Sequence, residues 1–364
     1  MKTIAFVTHR IDRRGGQERS MHENLQRLCR LGWKIKFYTF SLEEWPEDCS
    51  YEWIKIPGKN IRIQFLKNLW FSIYTFIILR NVKDPVLTIG TSSWVADLRV
   101  VQFVHSTYYD LISQNLAPYP NARTLFHTFY QYIFIKWSIF LEEFLFPRTK
   151  NFIAISNGIS NEIKKVVKDQ GVTINIVHHA PDRVISDSKN DRNLKLLFVG
   201  ALERKGIEKT LRICSLLNTT NWHLDVVGTG NLPLWKKRAD ELGIKDSVTF
   251  HGVKPSFDFF SKANIFLFPS TYEPFGLVVS EAASFNCLPL ASSECGAMEL
   301  WSNRPEWIKL SAIDDDEKWV DALERLINDK ELRDNISKDS YINFMNWSWD
   351  KSAQRYDQVL RNCL

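Results

Sequence analysis

Glu273 and Glu281 stand eight positions apart in YEPFGLVVSEA, among apolar and small residues. The run IFLFPST before them reads as a strand and loop, and the run after Gly276 reads as a helix. Glu273 then stands in the loop, and Glu281 one or two turns into the helix. At such a helix start the amides around Gly276, Leu277 and Val278 point outward and can hold a phosphate. A carboxylate farther along can accept both hydroxyls of a ribose. The plainer reading is a strand followed by a helix that carries an acid.

Three more loops have residue types suited to chemistry. In FVGALERKGIEKT, Arg204 and Lys205 precede Gly206 at a helix start, a cradle for a diphosphate. Two solvated side chains would read the same way. In QFVHST, His105 ends an apolar run and is expected at a strand tip. A neutral imidazole there could donate to a sugar hydroxyl or to developing charge, or simply be a satisfied structural histidine. In THRIDRRGGQERS, Gly15 and Gly16 let backbone amides approach a ligand closely. No third glycine completes a dinucleotide fingerprint, and alone the pair reads equally as a plain loop. Asp314-Asp315-Asp316 reads as a solvated turn, so no metal and no cofactor is expected.

Positioning these loops takes alternating strands and helices. IAFVTH, a helix from about Gln17 to Leu31, and KIKFYTF open the chain in that order, and LKLLFVG, HLDVVG, SVTFHG, IFLFP and LPLAS continue the pattern. The alternation predicts an α/β protein with parallel sheets, whose ligands collect at the carboxyl ends of strands. At 364 residues two domains are expected, 1–185 and 186–348, joined by the polar stretch SDSKNDRN, 186–193. A last helix, 349–364, is expected to pack back on the first domain.

The net charge of +5 is uneven, +8 over residues 1–180 and −3 over the rest. A basic first half suits an anionic partner, although a solvated basic face reads equally well. The charge forms no dense stripe, which argues against nucleic acid. Six scattered cysteines without metal-ligand spacing suggest a reduced, cytoplasmic setting. The apolar run Ile4 to Val7 is too short for a signal core, and no stretch is long enough to span a bilayer. Two aromatic helices interrupt the pattern. The basic, aromatic segment 61–80 reads either as core or as a contact with an anionic membrane surface. The longer 124–146 has the same two readings, core being the plainer.

The pair Glu273 and Glu281 within EPFGLVVSEA resembles the signature of retaining glycosyltransferases of family 4. VVGTGN (226–231), VTFHGV (248–253) and ECGAMEL (294–300) follow in that family's order. The resemblance implies a GT-B fold, with two Rossmann-like parallel-sheet domains facing across a cleft. Residues 1–185 would bind the acceptor and 186–348 the nucleotide sugar. It further implies that Glu281 binds the ribose and that Arg204 and Lys205 neutralise the diphosphate. Amides at Gly16, Leu277 and Val278 would assist, with Gly15 and Gly276 opening the backbone. Glu273 would contact the donor sugar, His105 would hydrogen-bond it from the opposite domain, and the base would pack around His251 to Val253.

Ala201, Asn286 and Ala297 depart from the family's usual residues and bear on donor identity. The layout is similar to the bacterial lipopolysaccharide-core glucosyltransferases. A metal-independent hexosyl transfer from a UDP-sugar to a membrane-associated glycolipid or lipopolysaccharide-type acceptor is therefore expected. The enzyme would be cytoplasmic or peripheral at the inner face of the membrane. Other readings are a nucleotide-sugar epimerase, a soluble-acceptor synthase, or a non-catalytic nucleotide-binding scaffold.

Overall fold

The computed structural model describes residues 2–13, 15–43, 45–118, 125–168, 171–182 and 194–363. The expected linker 186–193 lies outside the described residues. The chain divides into two compact units, one of residues 1–114, 119–179 and 348–364, the other of residues 115–118 and 180–347.

The first unit contains strands β1 (Lys2–Val7), β2 (Arg10–Ile11), β3 (Trp33–Thr39), β4 (Ser41–Leu42), β5 (Tyr51–Lys55), β6 (Val86–Ile89), β7 (Leu98–Val101), β8 (Asn151–Ala154) and β9 (Thr173–Ile176). Its helices are α1 (Gly16–Arg30), α2 (Gln64–Leu79), α3 (His105–Ser113), α4 (Leu125–Leu145) and α5 (Asn157–Val167). Seven strands form a parallel sheet in the order β5-β3-β1-β6-β7-β8-β9. Phe6 pairs with Phe37 on one side of β1, and Ala5 with Val86 on the other. Ile4 to Val7 are wholly buried, which is why this strand reads as an unbroken apolar run. The strand order reverses direction at β1 and β6, making their carboxyl ends a crevice where ligands bind in such sheets.

Helix α1 buries Met21, Leu25 and Leu28, a spacing that puts all three on one face. That face meets the core shared by Phe6, Ile35 and Phe37 and closed by Tyr356, Val359 and Leu360. These last three residues lie on α12 (Trp349–Cys363). Polar contacts fix the helix there: Trp33 donates its indole N–H to Asp357 at 2.7 Å, and Arg27 bonds Asp350 at 2.7 Å.

Helices α2 and α4 lie together, with Phe65 and Trp137 ring centroids 5.4 Å apart and the Tyr130 hydroxyl accepting from the Phe65 amide. The core reading of α4 needs correction. Ile135, Leu141 and Leu145 are buried, but Phe129, Tyr132, Ile133, Phe140 and Phe144 are exposed. On α2, Phe71, Ser72, Thr75 and Leu79 face inward while Leu66, Trp70, Ile73, Phe76 and Ile77 face outward. No helix among the described residues is long and apolar enough to cross a membrane.

The second unit has strands β10 (Leu194–Val199), β11 (Trp222–Val227), β12 (Val248–Gly252), β13 (Ile265–Phe268) and β14 (Leu288–Ala291). Its helices are α6 (Ile207–Ser215), α7 (Leu232–Glu241), α8 (Phe257–Phe260), α9 (Leu277–Ser284), α10 (Asp316–Asn328) and α11 (Lys330–Met345). The parallel order is β12-β11-β10-β13-β14, so the reversal falls between β10 and β13. Leu196 of β10 pairs with Leu224 on one side and Ile265 on the other. The loops that follow these two central strands carry the residues singled out above.

Candidate functional site

At the carboxyl end of β10 the chain turns through residues 200–206 and enters α6. The loop after β13 lies directly against it. Gly206 has φ +88, and a Cβ there would lie 2.5 Å from the Pro269 carbonyl oxygen. Only glycine permits both that backbone conformation and that approach. The close contact brings Lys205 to Glu273, and their side chains form an ion pair at the crevice between β10 and β13. Lys205 is only 6% exposed. Burial pushes its ammonium well below the ordinary lysine value, and the neighbouring Arg204 charge adds to that push. The pair thus joins a poorly hydrated cation to a carboxylate, 68 positions along the chain, and sets both beside the start of α9.

Gly276 caps α9 with φ +89 and, being glycine, gives the helix start no capping side chain of its own. A Cβ on Gly276 would lie 2.9 Å from Cγ of Glu273, so the cap and the glutamate are packed together. Glu281 is the fifth residue of this helix and is buried. The loop is held from behind as well. The Gly296 amide donates to the Glu273 carbonyl at 3.1 Å, and the Ala297 amide to Phe275 at 2.6 Å. Arg204, Lys205, Glu273, Gly276, Leu277, Val278 and Glu281 therefore fall on two adjoining loops and the helix that follows. Within this unit the arrangement supplies what an anionic leaving group needs: a buried cation, a second one beside it in sequence, and a helix N-terminus opened by glycine.

Val253 lies apart, beyond the end of the outermost strand β12, and is 75% exposed. His251, two residues earlier, is held by Asp225 at 2.6 Å across the β11–β12 pair. Cys295, close to Lys205, is a buried thiol pushed up to about 12 by burial, and stays protonated. Asp314 to Asp316 differ from the solvated turn expected. Asp314 accepts from the Ser311 amide at 2.7 Å, and Asp316 begins α10 paired with Arg212 at 2.7 Å.

In the first unit, Gly15 caps α1 and Gly16 is its first residue, with Glu18 in the first turn. The Glu18 carboxylate folds over Gly15 and is held by Arg10 at 2.8 Å. His105 is not at a strand tip. Strand β7 ends at Val101, and His105 is the first residue of α3. Its environment is made by a residue sequence reasoning missed, Glu142 of α4, whose side chain is 1% exposed.

One Glu142 oxygen accepts from the His105 amide at 2.8 Å and lies 2.7 Å from Nδ1. The other accepts from the Ser106 amide at 3.2 Å. This carboxylate caps α3 and orients the imidazole at once. A carboxylate has only lone pairs to give, so Nδ1 carries the proton and Nε2 is left for other partners. The neutral ring then accepts at Nε2, and only the imidazolium donates there. That modifies the donor role expected for His105.

Residues 182–342 match the family described as glycosyl transferases group 1. An uncharacterized glycosyltransferase of Methanocaldococcus jannaschii is 29% identical over 182 residues, covering 47% of this chain and 45% of that protein. The chain thus spans less than half the length of that relative. The structure is similar to WaaG, a glycosyltransferase involved in lipopolysaccharide biosynthesis. The TM-score is 0.69 at 17% identity, covering 97% of this chain and 98% of that one. It is also similar to HepE of Anabaena in complex with UDP-glucose, with TM-score 0.66, 12% identity and 100% of both chains covered. The fold is GT-B, two Rossmann-like α/β units with parallel sheets.

Proposed function

We propose, for a chain whose residues 182–342 match the group 1 glycosyltransferases, a retaining transfer of a hexose from a UDP-linked sugar to a membrane-associated glycolipid. The observation that carries this reading is the buried Lys205–Glu273 pair beside the glycine-capped start of α9. A nucleoside diphosphate brings two negative charges to a cation that burial has stripped of water. It competes with Glu273 for Lys205, and Glu273 then turns to the sugar. As the bond from the anomeric carbon to the diphosphate breaks, charge grows on the leaving oxygen. Lys205, Arg204 and the Leu277 and Val278 amides oppose that charge. The acceptor hydroxyl forms the new bond to the same carbon and passes its proton to the departing diphosphate oxygen. Glu281 takes the ribose hydroxyls. This scheme needs no metal, and UDP-glucose in the complex of a structural neighbour supports a UDP-linked donor.

The test is a screen of UDP-, GDP- and ADP-sugars with released nucleotide as the readout, with and without EDTA. Turnover of a UDP-sugar that survives EDTA is expected. Conversion of the sugar without any acceptor would instead favour an epimerase, and no binding of any nucleotide would end the proposal.

A bilayer surface follows from the exposed apolar faces of α2 and α4. Lys59, Arg62, Arg80, Lys83 and Lys136 are exposed on or beside them, the charge an anionic membrane would attract. Ile73 and Ile77 are one turn apart and both exposed. Replacing both with serine removes apolar area worth roughly 1.5–3 kcal/mol for each side chain if fully buried. Sedimentation with phosphatidylglycerol vesicles should then weaken at least tenfold while the melting temperature holds. Equal pelleting of the variant and wild type would remove the membrane from this scheme.

A further inference from the structure

A cavity of about 40 Å³ lies in the first unit between α2, α4 and the loops that follow β1 and β6. By the measure in which one water needs ~10–15 Å³, it takes about three water-sized groups. Two of its lining side chains hold a buried polar atom that has no hydrogen-bond partner among the described residues: Nε2 of His9 and the indole Nε1 of Trp94. Both atoms are buried, and an unpartnered buried polar atom carries a cost that a ligand or water can relieve.

The walls are held in place. His9 lies 4.5 Å from the Phe71 ring and 6.0 Å from Phe40, centroid to centroid. The loop after β6 is fixed by Arg99, a buried guanidinium that donates to the Gly90 carbonyl at 2.8 Å, the Ser93 carbonyl at 2.9 Å and the Thr149 hydroxyl at 2.7 Å. Two hydroxyls in the lining spend their protons on the backbone: Ser72 donates to Ser92 at 3.4 Å, and Ser138 to Phe134 at 2.9 Å. Their lone pairs remain for an occupant.

Charge decides the class of occupant. Burial, with Lys67 and Arg10 adding to it, pushes the His9 imidazole down to about 4, so the ring is neutral at physiological pH. A neutral imidazole and an indole N–H suit a group that accepts one hydrogen bond and exchanges a second, which a hydroxyl does and a phosphate or ammonium does not. The cavity sits where β1 and β6 diverge, the crevice in which open parallel sheets bind ligands, and Trp137 adds a flat apolar wall.

We propose that the cavity framed by His9 and Trp94 is a subsite for the primary hydroxyl of a polyol, the hydroxymethyl arm of a hexose or of glycerol. It rests on the glycosyl-transfer reading for its place in the reaction, as part of acceptor recognition, but not for its existence. The hydroxyl oxygen accepts from the Trp94 indole and its proton is shared with Nε2 of His9. The snug volume excludes the ring itself, so only the arm enters.

The experiment follows the indole N–H resonances of the full-length, nitrogen-15-labelled protein, with the Trp94 signal assigned by its loss in Trp94→Phe. The probes are methyl glucoside, methyl xyloside, which is the same ring without the hydroxymethyl arm, and glycerol. Movement of the Trp94 signal with the glucoside and not the xyloside is expected, with a dissociation constant about tenfold weaker in His9→Leu. Movement with glycerol alone would assign the arm to a glycerol-type headgroup. A signal that moves with none of the three, or equally with the xyloside, overturns the subsite and leaves a site for water. None of these readouts needs a donor sugar. A failed nucleotide screen with a moving Trp94 signal would sink the transferase and leave this site standing.

Discussion

Lys205→Ala should abolish nucleotide-sugar turnover and also weaken the fold. The first effect follows, on the proposed scheme, from the loss of the buried cation assigned to the diphosphate. Removing a preorganised charge or donor of this kind costs roughly 10²–10³ in rate. The second follows from Glu273, whose largely buried carboxylate would be left without its cation. Breaking a buried pair from one side costs about 3–5 kcal/mol, and the slight exposure of both groups puts this case near the lower figure.

The two effects separate in a second variant. Lys205→Met with Glu273→Gln removes both charges, so urea unfolding should recover most of the lost stability while turnover stays absent. Glu281→Ala should also lose turnover, through the ribose, and calorimetry with UDP should show the lost affinity directly. If Lys205→Ala binds UDP and turns over as the wild type does, the diphosphate assignment is wrong.

Glu142→Gln should lower kcat about a hundredfold while UDP affinity is kept, because a second residue fixes the tautomer and aim of the first. The two carboxylate oxygens have separate duties, one taking both the His105 amide and Nδ1 and the other the Ser106 amide, and a glutamine has an oxygen for only one of them. If that oxygen stays with His105, the NH2 group meets the Ser106 amide donor to donor. If it turns to Ser106, the same clash falls on the His105 amide and Nδ1–H. In both cases the negative charge that steadies an imidazolium is gone. Should Glu142 act only through His105, the double variant Glu142→Gln/His105→Ala will be no slower than His105→Ala alone. Additive losses would show a separate structural role for Glu142 and would count against the coupling.

The two residues differ in how visible they are to sequence reading. His105 stands out because it closes an apolar run, and that run reads as a strand with His105 at its tip, whereas the residue opens α3. The signal for its true position is weak, since the helix starts with no capping side chain of its own. Val104 precedes it, and the cap comes from another helix 37 positions later. Glu142 itself reads as half of an ordinary glutamate pair in an aromatic helix. Its burial arises from tertiary packing, which spacing alone does not encode.

The second unit was more legible. IFLFPSTYEPFGLVVSEA does form strand, loop and helix, since Pro274 and Gly276 punctuate it and Gly276 takes the left-handed conformation the turn requires. Alternating strands and helices likewise carried through to two parallel sheets. What could not be read was that Lys205 would find Glu273, because that contact depends on two loops meeting at a strand crossover. Helix α4 misled for a different reason. Its aromatics lie on nearly every side, so its composition reads as interior whichever face is exposed.

Helix α12 has a consequence for biosynthesis. The core behind α1 includes Tyr356, Val359 and Leu360, and Trp33 and Arg27 find their acidic partners on the same late helix. As the ribosome releases the chain, the amino-terminal sheet can assemble, yet one side of it stays uncovered until residues 349–363 emerge. The sheet around β1 is thus sealed only by residues translated more than three hundred positions after it, and a nascent chain halted after β14 would show its apolar flank to chaperones.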